Sequence, residues 1–255
     1  MSESILVQCN DGVMTITINR PERRNAVTRS CAERVAAALD QLDTSSDLRV
    51  AILTGAGGFF SAGMDLKVFR ETGERPRLPG RGFLGLSDQP PAKPLIAAVE
   101  GFAIGGGFEV VLACDLLVAA RGAYFALPEV RRGLVAASGG LLRLPHLLPP
   151  NLAREMVFTG EPMTAETAHM HGLVNRLVEP GKALAEAQIL ARKILLAGPL
   201  AVSVSKQVMQ ESASWPSDMM FQRQAVIVDA IFQSADAQEG ALAFAERREP
   251  IWKAK

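Results

Sequence analysis

Apolar and polar positions alternate with a period of two over Ile5 to Gln8 and Val13 to Ile18, which predicts paired strands, and Asn10, Asp11 and Gly12 between them supply a hairpin turn. The period then lengthens: Val35, Leu39 and Leu42 fall on one helical face behind a capping box of Ser30 and Glu33. Val50 to Thr54 and Leu95 to Val99 are short unbroken apolar runs bounded by Gly55, Pro94 and Gly101, the pattern of strands buried on both faces. Gly105, Gly106 and Gly107 lead into a helix carrying Glu109, Val110, Val111, Leu112 and Ala113. Tyr124 to Leu127 predicts a further strand, stopped by Pro128 so that Glu129 emerges just past its end. Thr159, Gly160 and Thr164 introduce a helix, and Gly172 to Leu177 reads as a short return strand. From Gly181 onward the pattern is helical, with breaks at Pro199 and Pro216. An α/β core followed by a helical tail is therefore expected, the tail forming a layer of its own.

Thr72 to Ala92 breaks this order, being rich in Gly, Pro and Arg with few periodic apolar positions, and a mobile flap is expected there. Its Leu84 and Leu86 either meet a ligand or pin the segment down.

The 255 residues, 48% of them hydrophobic, can bury one substantial core or a core with a small appended domain. Lys plus Arg equals Asp plus Glu at 27 each, so no global charge draws the chain to nucleic acid or to a membrane, and any basic site must be local. Met1 to Gln8 has neither a basic start nor a long apolar run, so no secretion signal is expected; residues such as Asp115 cut the apolar runs short of the roughly 20 needed to span a bilayer. Cys9, Cys31 and Cys114 are odd in number and widely spaced, as in a reduced, cytoplasmic protein.

Several chemistries lack their residues. Gly55, Gly57 and Phe60 imitate a dinucleotide fingerprint, but the third glycine is missing and no acid follows a helix about 20 residues on. Ser61 has Phe59 and Gly63 two residues to either side rather than the two glycines of a nucleophile elbow, and no phosphate-binding Walker sequence occurs. His146, His169 and His171 have no metal-ligand spacing, so no metal site is expected. What stands out is a pair of acids. Alone, Glu109 is a capping carboxylate favoured by a helix dipole; a second acid, Glu129, at a strand end twenty positions on points instead to a site.

The run K-P-L-I-A-A-V from Lys93, G-G-G-F-E from Gly105, C-D at Cys114 and F-A-L-P-E from Phe125 resembles the enoyl-CoA hydratase/isomerase (crotonase) family. The resemblance covers nearly the whole chain, from N-R-P-E at Asn19 through F-S-A-G-M-D at Phe60 to A-F-A-E-R-R before the final tryptophan. The stretches S-G-G-L-L-R-L-P-H-L-L-P-P and E-G-A-L-A-F-A-E-R-R-E-P-I-W-K look like the carnitinyl-CoA dehydratase branch. Where the family usually has I/V-P-G-x-G-G, this chain has Val135, Ala136, Ala137, Ser138, Gly139 and Gly140, a change in the pocket floor.

The resemblance implies a crotonase-like ββα superhelix core with the CoA and acyl site over residues 1–198, and a C-terminal helical trimerisation region over 199–255, giving a homotrimer or hexamer. It implies an acyl-CoA thioester substrate, coenzyme A being part of that substrate, and no tightly bound cofactor. Catalytic roles fall to Glu109 and Glu129, and the backbone amides of Met64 and Gly106 would form an oxyanion hole. Contacts to CoA and substrate are implied for Arg23, Arg24, Ala26 and Ala62, and for Asp65, Leu66 and Lys67. Phe244 and Arg247 would reach in from a neighbouring chain. Three arginines, Arg20, Arg23 and Arg24, suit phosphates.

Adding water to a conjugated thioester needs a polarised carbonyl, one group that takes a proton from water and one that delivers a proton to the α-carbon. Two nearby carboxyls cannot both ionise freely, so one carries a raised pKa. Glu129 is favoured as the donor and Glu109 as the activator of water, with the reverse order open. The expected activity is that of a 2-enoyl-CoA hydratase, reversible as 3-hydroxyacyl-CoA dehydration. A 3-enoyl to 2-enoyl isomerase needs only one acid, and a carnitinyl-CoA dehydratase-like enzyme is a further alternative. From another class, a noncatalytic scaffold or RNA-binding member sits poorly with neutral charge and two intact acids.

Overall fold

The computed structural model describes residues 3–255; Met1 and Ser2, the start of the stretch expected to carry no secretion signal, lie outside it. Strands β1 (Ile5–Asn10) and β2 (Val13–Ile18) pair antiparallel, Asn10 opposite Val13. Asp11 and Gly12 turn the hairpin at φ 47° and 80°, the double positive φ that matches the twist of the strands. Helix α1 (Arg29–Thr44) buries Val35, Leu39 and Leu42 as the periodicity predicted. It does not start with the expected capping box: Thr28, two residues before Ser30, is the N-cap, and Glu33 pairs with Arg29 at 3.2 Å instead. The far end of α1 is closed by a later residue, because Lys93 Nζ donates to the carbonyls of Leu42, Ser45 and Leu48 at 2.6 to 2.8 Å.

Strand β3 (Val50–Gly55) is followed by α2 (Leu66–Thr72), capped by the Asp65 side chain accepting from Val68 N. The segment expected to be a flap is instead anchored. Its short strands β4 (Arg77–Leu78) and β5 (Gly82–Phe83) form a hairpin, and Phe83, Leu84 and Leu86 are buried in the main core, so the two leucines pin the segment down. Then come β6 (Leu95–Val99), β7 (Phe102–Ile104), α3 (Gly106–Val111), β8 (Leu116–Ala120) and β9 (Tyr124–Ala126). Helix α3 is shorter than the apolar run suggested, ending before Leu112.

Beyond lie α4 (Gly140–Leu147), α5 (Pro150–Thr159), β10 (Met163–Thr164), α6 (Ala165–Met170) and β11 (Arg176–Val178), the return strand occupying only the end of its expected span. The tail is α7 (Ala183–Leu195), α8 (Pro199–Glu211), α9 (Met220–Phe232) and α10 (Ala235–Glu246). Besides the breaks near Pro199 and Pro216 there is a third, where Ser234 caps α10 through the Ala237 N–H.

Six strands form the main sheet in the order β1-β2-β3-β6-β8-β11, parallel except for the first pair, and β10-β9-β7 form a smaller sheet. One face of the main sheet packs on α7, whose Ala183, Ala187 and Ala191 repeat every fourth residue and let the helix sit close against Val50, Ile52, Ile96 and Val118. The other face shares the larger core with α1 and the small sheet, including Leu53, Val99, Phe108 and Phe125. The mixed α/β core with C-terminal helices agrees with the fold class expected from the sequence. Among the described residues no single helix is long and apolar enough to cross a membrane.

Candidate active site

Three chain segments converge because buried polar groups tie them together. Asn25 is wholly buried at φ 52°, its Oδ1 accepting from Arg20 N and its Nδ2 donating to the carbonyls of Ala56 and Phe59. Ser61 Oγ donates to Asn25 O at 2.7 Å and accepts from Gly63 N at 3.0 Å. These bonds hold the turn 61–64 against the loop 20–27, and Val27 N to Gly63 O and Asp65 N to Val27 O complete the contact.

The glycines bring a second segment onto the first. At Gly63 (φ +84°) a Cβ would lie 2.9 Å from Ile104 O and 3.1 Å from Gly106 N, so only glycine lets residues 63–64 approach residues 104–106 this closely. At Gly106 a Cβ would meet the Phe83 ring at 2.5 to 2.9 Å. Neither the Met64 N–H nor the Gly106 N–H has a protein acceptor among the described residues. Met64 and Gly106 line a cavity of about 340 Å³ together with Glu109 and Glu129. Its walls include Phe69, Phe83, Leu134, Val135 and Ala137, with Arg75 and Ser138 completing the lining.

The two acids sit differently. Glu109 is 2% exposed, and its Oε1 accepts the peptide N–H groups of Ser138 at 2.6 Å and Gly140 at 2.9 Å. A Cβ on Gly140 would stand 3.0 Å from Glu109 Cγ, which explains the glycine at the end of this floor segment. Glu129, half-buried in the 3-10 turn Pro128–Arg132, has an Oε2 that is buried with no hydrogen-bond partner. Burial raises the Glu129 carboxyl above the ordinary glutamate range, the charge of Glu109 acts in the same direction and Arg132 acts against it. A carboxyl whose pKa is raised, beside a second one held by two peptide N–H groups, can divide acid and base duties.

Residues 8–255 match the enoyl-CoA hydratase/isomerase family. The chain belongs to that family. It is similar to the carnitinyl-CoA dehydratase of Escherichia coli K12, at 42% identity with 100% of both chains covered. Among solved structures it is similar to the enoyl-CoA hydratases of Mycobacterium tuberculosis H37Rv (53% identity, TM-score 0.97) and Mycobacterium marinum (52%, 0.97), each comparison covering 99% of both chains.

Of the remaining residues for which family resemblance implied contacts, Arg23, Arg24, Ala26, Ala62, Asp65, Leu66 and Lys67 flank Met64 rather than line the cavity, and Ala62 N donates to Arg24 O at 3.0 Å. Arg23, Arg24 and Lys67 are exposed and make no ion pair among the described residues. The side chains of two neighbours are already engaged. Arg20 is not free for phosphate, because its guanidinium pairs with Asp65 Oδ2 at 3.1 Å and donates to Ala26 O. Asp65, capping α2 and holding Arg20, has its carboxylate committed to structure. Phe244 is 88% exposed, and neither it nor Arg247 lines the cavity of its own chain. Phe69, Phe83, Arg75 and the Ser138 amide escaped the sequence reading, since their neighbours at the cavity are distant in sequence. The departure at 135–138 was the one available signal. Among the described residues no cluster of three or more His, Cys, Asp or Glu could hold a metal ion.

Proposed function

We propose that this protein is an enoyl-CoA hydratase, adding water across the 2,3 double bond of a 2-enoyl-CoA thioester and, in reverse, dehydrating a 3-hydroxyacyl-CoA. The observation that carries this is the pair of acids at one cavity, Glu109 held by two peptide N–H groups and Glu129 with a raised pKa and an unpartnered buried oxygen. The thioester oxygen takes the Met64 and Gly106 amides, which strengthen as charge develops on it. Glu109 removes a proton from water as its oxygen bonds to the β-carbon, the π electrons move to the thioester oxygen, and Glu129 delivers its proton to the α-carbon. The exposed Arg23, Arg24 and Lys67 beside Met64 are suited to the CoA phosphates.

Residues 1–198 are read as the catalytic core and 199–255 as an oligomerisation region, in a trimer or hexamer whose Phe244 and Arg247 reach a neighbour's nucleotide site. The large exposed apolar side chains of the tail support this. A second reading, carnitinyl-CoA dehydratase-like chemistry on an acyl group bearing a trimethylammonium, is favoured by the 42% identity to such enzymes.

Hydration of crotonyl-CoA, followed by loss of the conjugated thioester absorbance, tests the proposal. Glu109→Gln and Glu129→Gln should each lower the rate by about 100-fold or more. An isomerase would suffer severely from only one of them, and near wild-type hydration by either variant would end the paired-carboxylate mechanism.

A further inference from the structure

The cavity holds one cation among its lining residues. Arg75 lies between α2 and β4, and it lines both the cavity of the two glutamates and a surface depression shared with Arg29 and Arg77. The arginines nearby are occupied: Arg29 pairs with Glu33, Arg77 with Asp88, and Arg81 with Asp40. Among the described residues Arg75 has no carboxylate partner and its side chain makes no hydrogen bond. Its backbone is nonetheless held, since Arg75 O accepts from Arg77 N at 2.8 Å and the adjoining Pro76, buried, accepts from Leu84 N at 2.8 Å. A fixed backbone therefore presents an unpaired guanidinium at the rim of a pocket whose other walls, Phe69, Leu134 and Val135, are apolar.

We infer that Arg75 is a specificity-determining residue that selects an acyl group ending in a carboxylate, so that the natural substrate is an enoyl-CoA ester with an anionic tail. This rests on the hydratase reading above and deepens it. An unpaired guanidinium next to apolar walls is a poor neighbour for a methyl-ended chain and repels a trimethylammonium, whereas a carboxylate satisfies its planar fork of donors. A countercharge at the rim also offsets the acidic character that Glu109 and Glu129 give the cavity, which disfavours an anionic tail. A CoA phosphate offers Arg75 similar chemistry, but the candidate phosphate ligands Arg23 and Arg24 are absent from this cavity.

The test compares 2-enoyl-CoA esters of matched length whose tails end in methyl, carboxylate or trimethylammonium. Wild type should show the highest kcat/KM with the carboxylate and the lowest with the trimethylammonium. Arg75→Met should reduce the carboxylate-to-methyl ratio by about tenfold or more, the scale of a charge-assisted contact, with Arg75→Lys intermediate. Ratios taken within one variant cancel any general damage to folding. No carboxylate preference in the wild type, or a ratio unchanged by Arg75→Met, would overturn the inference. So would an equal loss with all three esters together with weaker binding of free CoA, which assigns Arg75 to a phosphate. Calorimetry with the saturated acyl-CoA esters reads the same ratio. The inference is therefore scored even if no ester is hydrated, a result that would sink the hydratase reading by itself.

Discussion

Lys206 of α8 places its ammonium 2.6 Å from Asp115 Oδ2, on an oxygen that also accepts the Leu95 peptide N–H at 2.8 Å. The same ammonium donates to Lys93 O at 3.0 Å, and Lys206 is only 8% exposed. One tail side chain thereby ties the start of β6 to the turn before β8. Removing it leaves a partly buried carboxylate without its cation, so Lys206→Met is expected to destabilise the fold by about 3 kcal/mol. Urea denaturation checks this, and an unchanged midpoint would show that the pair contributes nothing.

Glu129 works against folding when ionised. Its carboxyl, raised first by burial and then by Glu109, titrates higher in the folded protein than the value near 4.3 of an unfolded glutamate. Its contribution to stability is fully present below the unfolded pKa and is lost as pH rises through the folded one. Glu129→Gln removes that loss, so the Tm of the variant relative to wild type should be higher at pH 7 than at pH 4. A difference that does not change between those pH values would contradict the raised pKa.

Gly63 and Gly122 separate geometry from strain. Both have positive φ, 84° and 74°, but a Cβ at Gly122 meets nothing within 4 Å, whereas one at Gly63 presses on Ile104 O and Gly106 N. Alanine at either position costs about 1 to 2 kcal/mol in backbone strain. Only Gly63→Ala should also lower hydration, by about 100-fold, because it moves the Met64 and Gly106 amides apart. Equal turnover in the two alanine variants would remove those amides from the mechanism.

The tail presents Phe221, Val226, Phe232 and Phe244, each at least 76% exposed, more apolar surface than an isolated chain ordinarily leaves in water. Light scattering is expected to give a trimer or hexamer, and Phe244→Asp to weaken CoA binding at low salt. A stable, fully active monomer at micromolar concentration would return Phe244 and Arg247 to the surface.

Much of this protein is local and therefore legible in its sequence. The alternation in β1 and β2, the Asp11–Gly12 turn, the buried runs of β3 and β6 and the glycine approach to Glu109 are set by residues within a few positions of one another. The same holds for the family motifs, whose order and spacing marked Glu109 and Glu129 before any fold was known. Long-range contacts were not legible. Thr72 to Ala92 has no periodic pattern, yet Phe83, Leu84 and Leu86 bury in a core built by other elements, which turns an expected flap into an anchored wall. Arg20 reads as a phosphate ligand until Asp65 takes it, and Ser30 reads as a cap until the chain enters α1 from Thr28. The unequal acids show the division most clearly. Their identity and positions are written in the chain, but the peptide amides of Ser138 and Gly140 that hold Glu109, and the burial that raises Glu129, exist only once separate segments pack together, because desolvation and hydrogen bonding are properties of the assembled site.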